Sequence, residues 1–262
     1  ISAEGSETVF ARLSKNPTSI GILSRPVTPA DLEKLKSLGL KNPVAISVAR
    51  DGMGVYVHES NPLKTITYAQ LAALLCADED SEKVTWSKVG VDGKLAEQPV
   101  QIYGRGKNSG THTFVSQFLF HGHTMRQHTQ DLDSNADVLS AIGKNPLAIG
   151  IADLKVSAKS VKRLGLQDKT TVFDGDDHEV LLGHYPIIRP LTLVFDLGQK
   201  PQVVAANREF ARYALTQAGQ TQAILAGFFP FDPPTLRGEM SKLKIETSAR
   251  VADAVPEKGD AK

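Results

Sequence analysis

Residues 19–39 read SIGILSRPVTPADLEKLKSLG, and the order of their parts decides the fold class. Ser19–Leu23 is a short Ile- and Leu-containing run with little alternation, as in a strand buried on both faces of a parallel sheet. Thr28-Pro29 then opens a helix, with threonine at the N-cap and proline at the first helical position. Leu32, Leu35 and Leu38 share one face, and Gly39 closes the helix. Strand, loop and capped helix in succession are the repeating unit of an α/β protein.

The same alternation extends outward. Val44–Val48, Val55–Val57, Leu147–Ile151 and Leu191–Phe195 read as further strands. Gly5-Ser6 leads into a helix from Glu7 to Leu13, with Val9 and Leu13 four apart. Thr67 with Gln70 forms a capping box ahead of Leu71, Leu74 and Leu75. Ser134 with Asp137 starts a helix that ends at Gly143, and Ser157 starts a short one that ends near Gly165. Asn207–Ala218 is expected as one helix, with Phe210 and Ala214 on its stripe and Gly219 as its stop. Parallel sheets are the expected arrangement. After Leu243 the chain turns polar and charged, as a loose terminus or a connection does.

Composition narrows the function. The 262 residues are 41% hydrophobic and 23% charged, which excludes a disordered or fibrous chain. The net charge of +1 offers no broad field to nucleic acid or anionic lipid, so an anion needs a local site. No apolar run approaches the roughly 18–20 residues of a membrane helix. Cys76 is the single cysteine, which excludes an intramolecular disulfide and a multi-cysteine metal site; it reads as a core residue at the end of a helix. Scarce cysteine is compatible with an oxidising compartment. The chain opens on Ile1, with no signal-peptide pattern at its start.

The chemistry concentrates in Tyr103–Phe118, YGRGKNSGTHTFVSQF. Arg105, Lys107, Asn108, Ser109, Gly110 and Thr111 come just before an apolar helical run. A helix start offers free N–H groups, and glycine lets the backbone approach a ligand closely. Ser109 and Thr111 add hydroxyl donors, and Arg105 adds a forked pair of charge-assisted bonds. The lysine precedes S-G-T, so this is not a P-loop. A capped helix beside a surface arginine is the plain alternative. Gly5-Ser6 and Ser24-Arg25 are further loops of this kind, and three in one chain favour a small dianion as ligand.

In order, the GS–helix, SIGILSRPVTPADLEKL, ARDGMGVYVHESNPLKTITYAQL, Trp86-x-x-x-Gly90, R-x-x-x-S-G-T-x-x-F, NPLAIGIAD and YPIIRPLTLVF resemble the periplasmic phosphate-binding proteins of ABC-type phosphate importers over roughly residues 1–240. The resemblance implies an α/β, two-lobed, type II periplasmic-binding-protein (Venus-flytrap) fold with two chain crossovers. It places one lobe at residues 1–55 and 187–262 and the other at 56–186, with phosphate buried between them by closure. Ser6, Ser24, Arg105, Ser109, Gly110 and Thr111 are the implied contacts. It also implies an extracytoplasmic location, a membrane ABC permease as partner, no nucleic acid and no cofactor.

The chain departs from the family pattern in places. The family carries a strand, a Thr-Phe loop and a helix before the position matching Ile1. Many members have aspartate after the serine matching Ser24, where Arg25 stands; that arginine either neutralises the anion or braces its loop. A subgroup with S-R-P places the aspartate in a D-G segment, which Asp51 fits. A carboxylate there accepts the proton of HPO₄²⁻ and disfavours unprotonated sulfate; otherwise Asp51 is a turn residue before Gly52.

His121, His123 and His128 could suggest a metal, but their spacing without a nearby carboxylate reads as a surface loop. Phe173–Glu179 reads as a solvated acidic loop. No nucleophile–base pair is visible, so no catalytic residue is assigned. A binder of another tetrahedral oxyanion (sulfate or molybdate), an interaction or signalling module reusing the fold, and a phosphoesterase are the alternatives.

Overall fold

The computed structural model describes residues 5–77 and 84–243. The stretch after Leu243 lies outside the described residues. The strands are β1 (Gly21–Leu23), β2 (Pro43–His58), β3 (Thr65–Thr67), β4 (Gln101–Arg105), β5 (Gln130–Leu132), β6 (Ala148–Asp153), β7 (Val161–Asp168), β8 (Thr171–Phe173) and β9 (Ile188–Asp196). The helices are α1 (Thr8–Lys15), α2 (Pro29–Ser37), α3 (Tyr68–Leu75), α4 (Gly110–Thr113), α5 (Asn135–Ile142), α6 (Asp177–Leu181), α7 (Pro201–Ala214), α8 (Gln217–Leu225) and α9 (Pro233–Lys242). The α/β class expected from the sequence is what forms. The chain divides into two compact units, one up to Asp51 and again from Arg189, the other Gly52–Ile188.

In the first unit β9 lies between β1 and the first half of β2. Gly21 to Leu23 run antiparallel to Val194 to Thr192. Alternation along β9 covers both faces of this sheet. Leu193 and Phe195 pack with Ile46, Ala211, Leu215 and Leu236. Val194 points the other way, onto Phe10, Leu13, Leu23 and Leu35. The α2 cap forms as the sequence predicts: the Thr28 hydroxyl accepts from Asp31 N–H, Asp31 answers the N-cap amide, and Pro29 opens the helix. Gly39 follows at φ +99°, a left-handed conformation that suits glycine.

In the second unit β4 runs parallel to both β5 and β6. The second half of β2 pairs antiparallel with β6 and with β7. β7 also pairs with β3 in parallel and with β8 antiparallel. α5, capped by Ser134, covers β6 with Val138, Leu139 and Ile142, all fully buried. Trp86 is fully buried on a short turn that Gly90 ends at φ +82°.

Several expectations are corrected. The sheets are mixed rather than parallel, because a strand buried on both faces reads the same whichever way its neighbours run. Val44–Val48 and Val55–Val57 belong to one sixteen-residue strand, β2. The helix expected from Ser157 is instead the approach to β7, whose Leu164 and Leu166 are buried in a ladder with β2 and β3. Asn207–Ala218 is not one helix. α7 starts earlier, at Pro201, and Thr216 caps a second helix by accepting from Gly219 N–H. Gly219 is therefore no stop. A Cβ there would run into the Tyr213 carbonyl and Ala214, so glycine allows a close approach. Phe210 is half exposed rather than on a buried stripe.

Candidate functional site

In the first unit Gly5, at φ +100°, turns the chain into α1. Ser6 is buried, and its Oγ accepts the Ser24 N–H at 3.0 Å, which seats the two serine loops against each other. Arg25 is 3% exposed. Its Nε donates to Glu7 Oε1 at 2.8 Å and its Nη1 to the Pro26 carbonyl at 2.8 Å. Nη1 and Nη2 also reach the two Asp31 oxygens at 2.7 and 3.1 Å, a forked pair. Burial opposes the charge on Arg25, but the bonds to Asp31 and then Glu7 outweigh it and raise its pKa. Burial likewise works against ionised Asp31, and the Arg25 and Thr28 bonds win, holding it below the usual carboxylate range. Four of five guanidinium N–H groups thus point at protein acceptors. These contacts give Arg25 the partners of a brace for its loop.

Asp51 and its neighbour Gly52 sit inside continuous β2, so the turn reading of Asp51 falls. The carboxylate is buried, and Oδ2 accepts from Arg189 Nε at 2.9 Å and Nη2 at 2.7 Å. Arg189 is itself 3% exposed. Sequence reasoning passed over it as a site residue, although it is the arginine of the Y-P-I-x-R-P-L element, Tyr185–Leu191.

In the second unit Arg105 ends β4, and its Nε donates to the Leu132 carbonyl at 3.1 Å. The chain then turns so that Ser109 N–H donates to the Gly106 carbonyl at 2.9 Å. Ser109 caps α4 by accepting the His112 N–H at 3.0 Å, and Gly110 and Thr111 are buried in the first turn. The helix continues through Phe114–Leu119 with wider π-type hydrogen bonding, a distortion frequent at functional sites.

Ser6 and Ser109 share one property. Each hydroxyl oxygen is buried and accepts a backbone N–H, which fixes its position. Among the described residues neither donates its own hydrogen to a protein acceptor. A hydroxyl has one donor and two lone pairs, so each keeps a hydrogen available for an oxyanion.

The other candidates contribute less. His121 and His123 are exposed. Among the described residues no three His, Cys, Asp or Glu side chains gather as metal ligands. The acidic segment forms a short helix, α6, capped by Asp176. His128 is not part of a bland surface loop: its side chain is only 12% exposed.

Residues 1–218 match the family model of the PBP superfamily domain. The chain belongs to the PBP superfamily. Among proteins of this kind, the phosphate-binding protein PstS of Pseudomonas aeruginosa PAO1 is 27% identical over 237 residues, covering 88% of this chain and 73% of the relative. A crystal structure of an ABC-type phosphate transport receptor from Vibrio cholerae superposes with a TM-score of 0.67 at 18% identity, over 87% of this chain and 86% of that one. A putative phosphate ABC transporter substrate-binding protein from Clostridium perfringens, solved with bound phosphate, gives 0.65 at 20% identity over 87% and 86%. These likenesses establish the fold of this PBP-superfamily chain.

Proposed function

We propose that this chain binds inorganic phosphate as the solute-binding component of a phosphate importer, outside the cytoplasm and beside a membrane permease, without doing chemistry on its ligand. The observation that carries the reading is the pair of buried serines, Ser6 and Ser109, each fixed by an accepted N–H with its own hydrogen undonated. Arg105 at the end of β4 and the buried Gly110 and Thr111 supply the charge and close backbone that a dianion calls for. Ser24, bound to Ser6, is proposed as a further contact. Asp51 is proposed as the acceptor for the proton of HPO₄²⁻, with Arg189 holding its Oδ2. The names of the Pseudomonas, Vibrio and Clostridium proteins support the same ligand.

Calorimetric titration with phosphate, sulfate, arsenate and molybdate tests the proposal. Phosphate at about 100 times its dissociation constant should add about 2.7 kcal/mol to folding stability, and sodium chloride at matched ionic strength should not. Equal stabilisation by the two salts, or no heat from any oxyanion, sinks it. Release of phosphate from a generic ester would instead favour an enzyme.

A further inference from the structure

The candidate anion loop from Arg105 to Thr111 has two ends, and one imidazole packs against both. Gly104 precedes the loop on β4. A Cβ on Gly104 would overlap the His128 ring, so the ring lies directly against the strand backbone. His112 follows the loop in α4, and its ring meets His128 edge-on, with centroids 5.9 Å apart and planes at 71°. Arg105, Thr111, His112 and His128 line one small pocket of the second unit.

β5 orients this arrangement. Asp131 Oδ1 lies 2.6 Å from His128 Nδ1, so the ring nitrogen carries its hydrogen toward the carboxylate. Asp131 is the register partner of Gly104, and the next pair along the ladder is Leu132 with Arg105. The Leu132 carbonyl accepts from Arg105 Nε. Two successive residues of β5 thus aim the ring that supports the loop and the arginine that begins it. This is the relation of an outer hydrogen-bonding partner to a ligand-contacting group.

We propose that His128, oriented by Asp131, is the positioning residue of the Arg105–Thr111 loop, and that its ring holds the loop in the shape that grips an anion. The part that concerns an anion rests on the phosphate reading above; the positioning does not. The ring fills the space that a side chain at position 104 would take, and it touches the first turn of α4 through His112. A smaller side chain at position 128 leaves the loop without support at both ends.

The test uses the full chain, His128→Gln and Asp131→Asn. The second variant changes a half-exposed carboxylate and leaves the packed ring in place. Backbone amide NMR signals of residues 106–111 are compared without any oxyanion. They should shift in His128→Gln while the signals of α5 and β6 stay in place, and Asp131→Asn should move the same loop signals by less. Phosphate titration should show about tenfold weaker binding in His128→Gln and a smaller loss in Asp131→Asn. Loop signals unchanged in His128→Gln would overturn the positioning role. Phosphate affinities within about twofold of wild type in both variants would overturn its bearing on an anion. A wild type that binds no phosphate, while its loop signals still depend on His128, would sink the ligand assignment and leave the positioning role intact.

Discussion

The loops at Ser24–Asp31 and Arg105–His112 begin alike, each carrying a serine and an arginine from the end of a strand toward a helix, yet their arginines do different work. Arg25 follows its serine and is enclosed by two carboxylates, Glu7 and Asp31, with the Phe10 ring 5.6 Å away. Arg105 precedes its serine, and its Nε meets the Leu132 carbonyl. The first loop cancels its own charge and gains rigidity. The second ties its arginine back to the backbone of the neighbouring strand, which fixes the direction of the side chain. The lesson is that the same two residue types, in opposite order about the turn, anchor to different elements: Arg25 to carboxylates of α2 and the α1 cap, Arg105 to the backbone of β5.

The largest effect that would break this contrast is on ligand binding. Arg105→Ala should weaken phosphate binding by about 2–4 kcal/mol, roughly 30- to 1000-fold, with little change in melting temperature. Calorimetric weakening below about threefold would remove Arg105 from the site.

Next in size is the brace. Asp31→Asn should destabilise the fold by about 1–3 kcal/mol, because it leaves a buried guanidinium with a weaker partner. Asp31 has a lowered pKa when folded, so its contribution is fully present above its unfolded value and is lost as pH falls through the folded one. Denaturant titrations from neutral to strongly acidic pH should show the wild type and Asp31→Asn converging at the acid end. A constant gap across that range would mean that the ion pair is not what the variant removes.

The smallest effect sharpens the role proposed for the Asp51 carboxylate. Asp51→Asn loses a negative charge and gains a donor, so it should improve sulfate binding more than phosphate binding. Competition of the two anions near pH 7 reads the ratio. A change under about threefold, roughly 0.7 kcal/mol, would mean that Asp51 is not the discriminating acceptor.

What was legible in the sequence was local. Thr28, Thr67 and Ser134 each cap the helix expected of them, because a cap is written within four residues. The junction that carries Arg105, Ser109, Gly110 and Thr111 was legible for the same reason: a strand, a short loop and a capped helix follow one another between Gln101 and Thr113. What escaped depends on partners far along the chain. The sense of the β2–β6 pairing is invisible in either strand alone. Arg189 acquires its role from Asp51, 138 residues earlier. The support from His128 depends on a glycine that reads as an ordinary strand residue until the ring is seen against it.

Antiparallel pairing of Gly21–Leu23 with Thr192–Val194 sets an order of events during synthesis. The second unit is one uninterrupted stretch, Gly52–Ile188, and is complete as soon as that stretch leaves the ribosome. The first unit is not. Phe10, Leu13, Leu23 and Leu35 pack on Val194, which is translated 159 residues after the last of them. At roughly 5–20 residues per second, that apolar cluster waits on the order of ten to thirty seconds for the strand that covers it. The first unit therefore closes only after the second is complete, and the cluster around Phe10, Leu13, Leu23 and Leu35 is where the nascent chain most needs a chaperone.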